Sequence, residues 1–108
     1  MSKHPAVYIM ASEFNGTLYT GATSTLVKRV WQHRTGAIPG FTSRYGVTRL
    51  VYFEQHATMA EAIRREKQIK QWNRDWKIRL IQEGNPEWRD LWPDLVGGND
   101  DGFPPPRE

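Results

Sequence analysis

A chain of 108 residues fits one compact domain with a modest core and leaves little room for a second. It contains no cysteine, which excludes disulfides and thiolate metal sites and leads us to expect a reducing cytoplasm. The net charge of +3 is only mildly basic, and neither a signal-type apolar run nor a segment long enough to span a bilayer is present, so no membrane role is expected.

Ala6 to Met10 reads as a short apolar strand rich in β-formers. Asn15-Gly16 is a hairpin signal, because both residues tolerate positive φ at low cost. Thr17 to Thr20 then forms the returning strand, closed by Gly21. Side chains alternate along a strand, and an even-length loop pairs positions of opposite parity. That places Tyr8 and Tyr19 on one face and Val7, Ile9, Leu18 and Thr20 on the other.

Thr23 and Ser24 are N-cap candidates for a helix to about His33 or Arg34, with Leu26, Val27, Val30 and Trp31 as its buried side. Arg29 and His33, four apart, share a helical face. Residues 35 to 49 read as a loop, made basic by Arg44 and Arg49. Leu50 to Glu54 is the third strand. Thr58-Met-Ala-Glu61 is a capping box opening a second helix, whose inward stripe is Met59, Ala62, Ile63, position 66 and Ile69. Position 66 is glutamate. A third helix is expected from about Arg74 to Glu83, with Gly84 ending it. Asn85-Pro86 opens a helical turn through Leu91, and from Gly97 onward the chain is too poor in apolar residues to fold. The expected class is α+β: one domain over residues 1–96, a three-stranded antiparallel sheet flanked by helices, and a disordered tail over 97–108.

Basic residues concentrate between Arg64 and Arg79, where seven cations face only Glu66 and Asp75. Such a segment is suited to phosphate. Arg44, Arg65, Lys67, Lys70 and Lys77 are the candidate nucleic-acid contacts. Tyr8, Tyr19, Arg29 and His33 bring two phenols, a guanidinium and an imidazole into one short stretch, groups suited to holding and cutting a phosphodiester. Glu66 supplies the carboxylate that a metal at such a site needs. Each residue also has a plain structural explanation: strand packing for the tyrosines, a solvated helix face for Arg29 and His33, an ion pair with Lys70 for Glu66. Only as a set do they point to chemistry. Trp72 with Trp76, and Trp88 with Trp92, are expected to pack in the core. His4 and His56 lack the spacing of zinc ligands.

Ala6-Val7-Tyr8, Tyr19-Thr20-Gly21, Arg29-Val-Trp-Gln-His33, the Arg65-Glu-Lys-Gln-Ile-Lys70 segment and Asn85-Pro-Glu-Trp-Arg-Asp-Leu91, in this order, resemble the GIY-YIG endonuclease superfamily. The nearest likeness is to small standalone bacterial proteins related to the nuclease domain of the excinuclease C subunit. Ala6 and Thr20 replace a glycine and an isoleucine of the name-giving triplets. The resemblance implies Mg²⁺-dependent hydrolysis of duplex or branched DNA, with Mn²⁺ as a substitute ion. It implies that Glu66 ligates the metal, Arg29 holds the phosphate, and Tyr8, helped by Tyr19 or His33, orients or deprotonates the water. A late asparagine of the family would fall at Asn73, which can equally be an N-cap. The rival expectation is a non-catalytic nucleic-acid-binding module on the same fold.

Overall fold

The computed structural model describes residues 4–97. In chain order the elements are β1 (Ala6–Ala11), β2 (Leu18–Thr23), α1 (Leu26–Thr35), α2 (Phe41–Arg44), β3 (Arg49–Gln55), α3 (Met59–Gln71), α4 (Arg74–Gly84) and α5 (Trp92–Gly97). The strands form one antiparallel sheet in the order β2-β1-β3, so the fold is α+β with helices around a three-stranded sheet. Among the described residues, no helix is long and apolar enough to cross a membrane.

Because β1 is central and covered on both faces, all six of its residues are buried, which explains its unbroken apolar run. Val7, Ile9 and Ala11 pack against Ala62 and Ile69 of α3, Ile81 of α4 and Trp88. Ala6, Tyr8 and Met10 face Leu26 and Val30 of α1, with Val47 and Leu50. A bulge lets β3 serve both cores. Ile9 pairs with Tyr52 while the next residue, Met10, pairs with Leu50, and the inserted Val51 turns with Tyr52 toward the α3 side.

Several local expectations are corrected. Gly21 does not close β2, which runs on to Thr23, and α1 starts at Leu26 after a cap residue, Thr25, that makes no side-chain cap bond. The stretch read as loop contains α2. No helix occupies 86–91: Trp88 takes φ 58°, and the Asn85 side chain instead bridges Val51 O, Arg89 O and Arg89 N, with α5 beginning at Trp92. In α3, Ile63 is 40% exposed, so the inward stripe is narrower than its spacing implied. Trp88 is fully buried and Trp72 packs on the core, but Trp76 is 54% exposed. The predicted tail falls, apart from Gly97 at the end of α5, outside the described residues.

The capping box forms as expected on its threonine side, with Thr58 accepting from Glu61 N at 3.1 Å. Losing such a cap costs about 1 kcal/mol. Thr58→Ala should therefore lower Tm by roughly 4–8 °C in a domain of this size, measured by calorimetry.

Candidate active site

Strand register builds the site first. Met10 pairs with Tyr19 and Tyr8 with Gly21, so both tyrosines project from the same face as Met10. Their rings lie tilted, with centroids 6.3 Å apart. Gly21 is where backbone and ring must share space. A Cβ there would sit 2.5 Å from the Tyr8 hydroxyl, so the phenol lies across the position where a side chain would be. Gly21→Ala must push Tyr8 aside, at a cost of roughly 1–3 kcal/mol for overpacking. A urea melt should show that loss, together with reduced activity from a displaced phenol.

Helix α1 turns His33 inward, where it is almost fully buried. Its Nε2 lies 2.9 Å from the Tyr8 hydroxyl and its Nδ1 lies 3.0 Å from Thr42 Oγ1 of α2. Burial, and then the Arg29 charge, hold the imidazole below its ordinary pKa. The neutral ring therefore has one donor and one acceptor nitrogen. Burial first and Tyr19 next push the Tyr8 phenol above its ordinary value, with Glu66 adding to the rise. The Arg29 guanidinium beside it pulls the other way by charge and hydrogen bonding, without prevailing. Tyr8 and His33 thus meet as two neutral partners, phenol and imidazole, joined by one hydrogen bond.

Helix α3 lies mainly along the edge strand β2. Ala62 and Ile69 enter the core beneath it, and Glu66 and Lys70 flank that stripe one turn apart. Glu66 Oε2 is 2.7 Å from Lys70 Nζ, with the Glu66 side chain 16% exposed. Lys70 Nζ also stands 6.0 Å from the centre of the Tyr19 ring, a cation–π distance. The fold therefore gathers Tyr8, Tyr19, Arg29, His33, Glu66 and Lys70 around one face. Thr42 joins them, and sequence reasoning missed it. Nothing local marks a threonine nine residues past His33 in a segment that reads as loop.

The remaining candidate cations divide. Arg44 is exposed on α2 and Lys67 is exposed on α3. Arg65 is held internally, donating to Glu54 Oε2 at 2.9 Å and to Gln68 Oε1 at 2.8 Å, with its guanidinium 5.2 Å from the Trp72 ring. Glu54 is an anchored anion. Its own burial works to raise its pKa, but hydrogen bonds from Tyr52, Arg65 and His56 prevail and hold it low. Arg65 is thus tied to the anchored Glu54. Lys77 is half-buried on α4, which packs on the Val51 side of the sheet. Asn73 accepts from Trp76 N at 3.0 Å, which is an N-cap.

Among the described residues, no cluster of three or more acidic or imidazole groups could cage a metal. A single carboxylate, Glu66, fits Mg²⁺, which keeps several waters and takes one or two protein carboxylates plus substrate phosphates. It does not fit zinc.

The description "GIY-YIG catalytic domain" belongs to the family model that matches residues 4–79. The chain is 38% identical over 84 residues to a UPF0213 protein of Staphylococcus saprophyticus, covering 78% of this chain and 100% of the relative. It is 39% identical to one from Staphylococcus epidermidis with the same coverage. The solution NMR structure of a UPF0213 protein from Bacillus halodurans superposes with a TM-score of 0.51 at 27% identity, over 82% of this chain and 93% of that one.

Proposed function

This chain belongs to the GIY-YIG catalytic-domain family, and from that premise we propose that it is an endonuclease hydrolysing the phosphodiester bonds of DNA with one divalent cation. The observation that carries the reading is the hydrogen-bonded run Tyr8–His33–Thr42, lying on the same face as Arg29, Tyr19 and Glu66.

In this reading Arg29 grips the non-bridging oxygens of the scissile phosphate with its planar fork of donors. The Tyr8 oxygen accepts a proton from the attacking water while its own proton passes to His33 Nε2. The relay requires an unprotonated His33, which its burial favours. The Thr42 hydroxyl, on the other ring nitrogen, can accept from Nδ1–H in the tautomer that leaves Nε2 free. The water oxygen bonds to phosphorus as the 3′ oxygen leaves. Glu66 would hold Mg²⁺, which supplies charge stabilisation for the phosphoryl and leaving oxygens. The buried ring of Tyr8 and the half-buried ring of Tyr19 limit the access of bulk water to the relay.

The test is a cleavage panel with purified protein: supercoiled plasmid, linear duplex and branched oligonucleotides, in Mg²⁺, Mn²⁺ and EDTA, for wild type and Glu66→Gln. Nicking that needs the metal and Glu66 is expected. Binding without turnover under every condition would instead favour the non-catalytic nucleic-acid-binding module.

A further inference from the structure

We infer that α2 presents a base-stacking platform beside the catalytic face, and that the preferred substrate is DNA with an unpaired nucleotide next to the cut. The inference rests on the nuclease reading of that face and adds the substrate class.

Four aromatic rings form a continuous run from the buried site to solvent. Tyr8 and Tyr19 lie 6.3 Å apart, Tyr19 and Phe41 are stacked at 6.2 Å, and Phe41 and Tyr45 lie 4.8 Å apart. Tyr8 is buried and Tyr19 half-buried, while Phe41 is 46% exposed and Tyr45 is 51% exposed. Large aromatics are normally driven under cover by their apolar area. Here two of them, four residues apart and hence on one helix face, stand open side by side. Gly40 at φ 121° and Gly46 at φ 65° bracket the helix, turning the chain sharply at both ends and holding this short element across the site.

Charge identifies the occupant. Arg44 lies exposed within α2 itself, Arg29 borders Tyr8, and Lys70, paired with Glu66, stands over Tyr19. Open rings interleaved with cations recognise single-stranded nucleic acid, where bases stack on the rings and phosphates meet the cations. In an intact duplex the base faces are already stacked on one another and cannot reach such a platform. An unpaired base in a flap, bulge or branch can. The Tyr19–Phe41 stack then ties the position of that base to the phosphate beside Tyr8.

The experiment uses the full chain and synthetic DNA carrying 2-aminopurine at an unpaired position, with the fully paired duplex as reference. Binding is followed by anisotropy without divalent cation, stacking by 2-aminopurine quenching, and cleavage separately in Mg²⁺. Wild type should prefer the unpaired substrate and quench its fluorescence. Phe41→Ala and Tyr45→Ala should each cut that preference by roughly tenfold, as loss of one base-stacking contact does, while Phe41→Trp keeps it. Tyr45, which packs on Phe41, keeps the test decisive if removing Phe41 disturbs Tyr19. Quenching and preference that survive both alanine variants, or that wild type never shows, overturn the platform. Cleavage without preference would leave the nuclease standing and remove the platform. Quenching without cleavage would do the reverse. A protein partner on α2 would show as no quenching and again overturn it.

Discussion

Glu66→Gln should lower Mg²⁺-dependent nicking by roughly a thousandfold or more, the scale of losing several kcal/mol of charge stabilisation. Stability should barely change. The substitution keeps the side chain's shape and removes only its charge, so what it deletes in the resting protein is the pair with Lys70 at 2.7 Å. Lys70 is about half-exposed, and a pair in that setting is worth under about 1 kcal/mol. The two explanations of Glu66 therefore separate cleanly. A carboxylate present only to pair with Lys70 predicts a small stability change and unchanged cleavage. A carboxylate present to hold the ion predicts the same small stability change with cleavage lost, so cleavage is the quantity that decides. Titrating Mg²⁺ against nicking rate, with Tm recorded for both proteins, reads both quantities. Equal rates at saturating metal would sink the assignment.

Removal of the Tyr8 hydroxyl is expected to cost about 10²- to 10⁴-fold in kcat, the range for a lost proton-transfer group. Tyr8→Phe retains the ring that packs between Val30, Met10 and Tyr19, so substrate binding and fold should persist. The freed His33 Nε2 loses its buried partner, at a cost of about 1–3 kcal/mol. The pH profile gives a second readout. His33 titrates below the ordinary imidazole value of about 6.5. The wild-type rate should therefore be level through neutral pH and fall only on the acid side of that value, once His33 is protonated and cannot accept from Tyr8. Tyr8 is raised above the ordinary phenol value, so no alkaline limb from its ionisation is expected below about pH 10. Stability follows the same sign. The unfolded imidazole binds a proton more readily than the folded one, so His33's contribution is whole above about pH 6.5 and declines as pH falls below it. A profile with its acid limb at or above the ordinary imidazole value would contradict the buried, neutral His33. Single-turnover rates from pH 5 to 9, for wild type and Tyr8→Phe, make the measurement.

How legible the site was depends on which residues are meant. The facing of Tyr8 and Tyr19 followed from parity across the Asn15-Gly16 turn, and the register of β1 on β2 agrees. Helical spacing put Glu66 within the inward stripe, whereas the fold sets it beside Ala62 and Ile69 and pairs it with Lys70, so it does not stand there as a bare charge. Thr42 was invisible, because its partner lies across a loop and a hydroxyl carries no periodic signal. The pairing of Arg65 was invisible for a related reason. A cation in a basic run looks free until Glu54, on a strand eleven residues earlier, is folded against it. Gly21 looked like the end of a strand. It is an interior strand residue whose missing side chain leaves room for a phenol on the neighbouring strand.

From sequence alone came what is local or periodic: the hairpin, the α+β class, the Thr58 and Asn73 caps, and the shared face of the tyrosines. These rest on backbone sterics and on the periods of two and 3.6, which neighbours in the chain suffice to express. Only the tertiary structure decided that His33 is buried and bonded at both nitrogens, that Arg65 is taken up by Glu54, and that Phe41 and Tyr45 stand open beside Tyr19. Burial, charge pairing and ring contact are properties of groups far apart in sequence, and they acquire values only when the chain closes on itself.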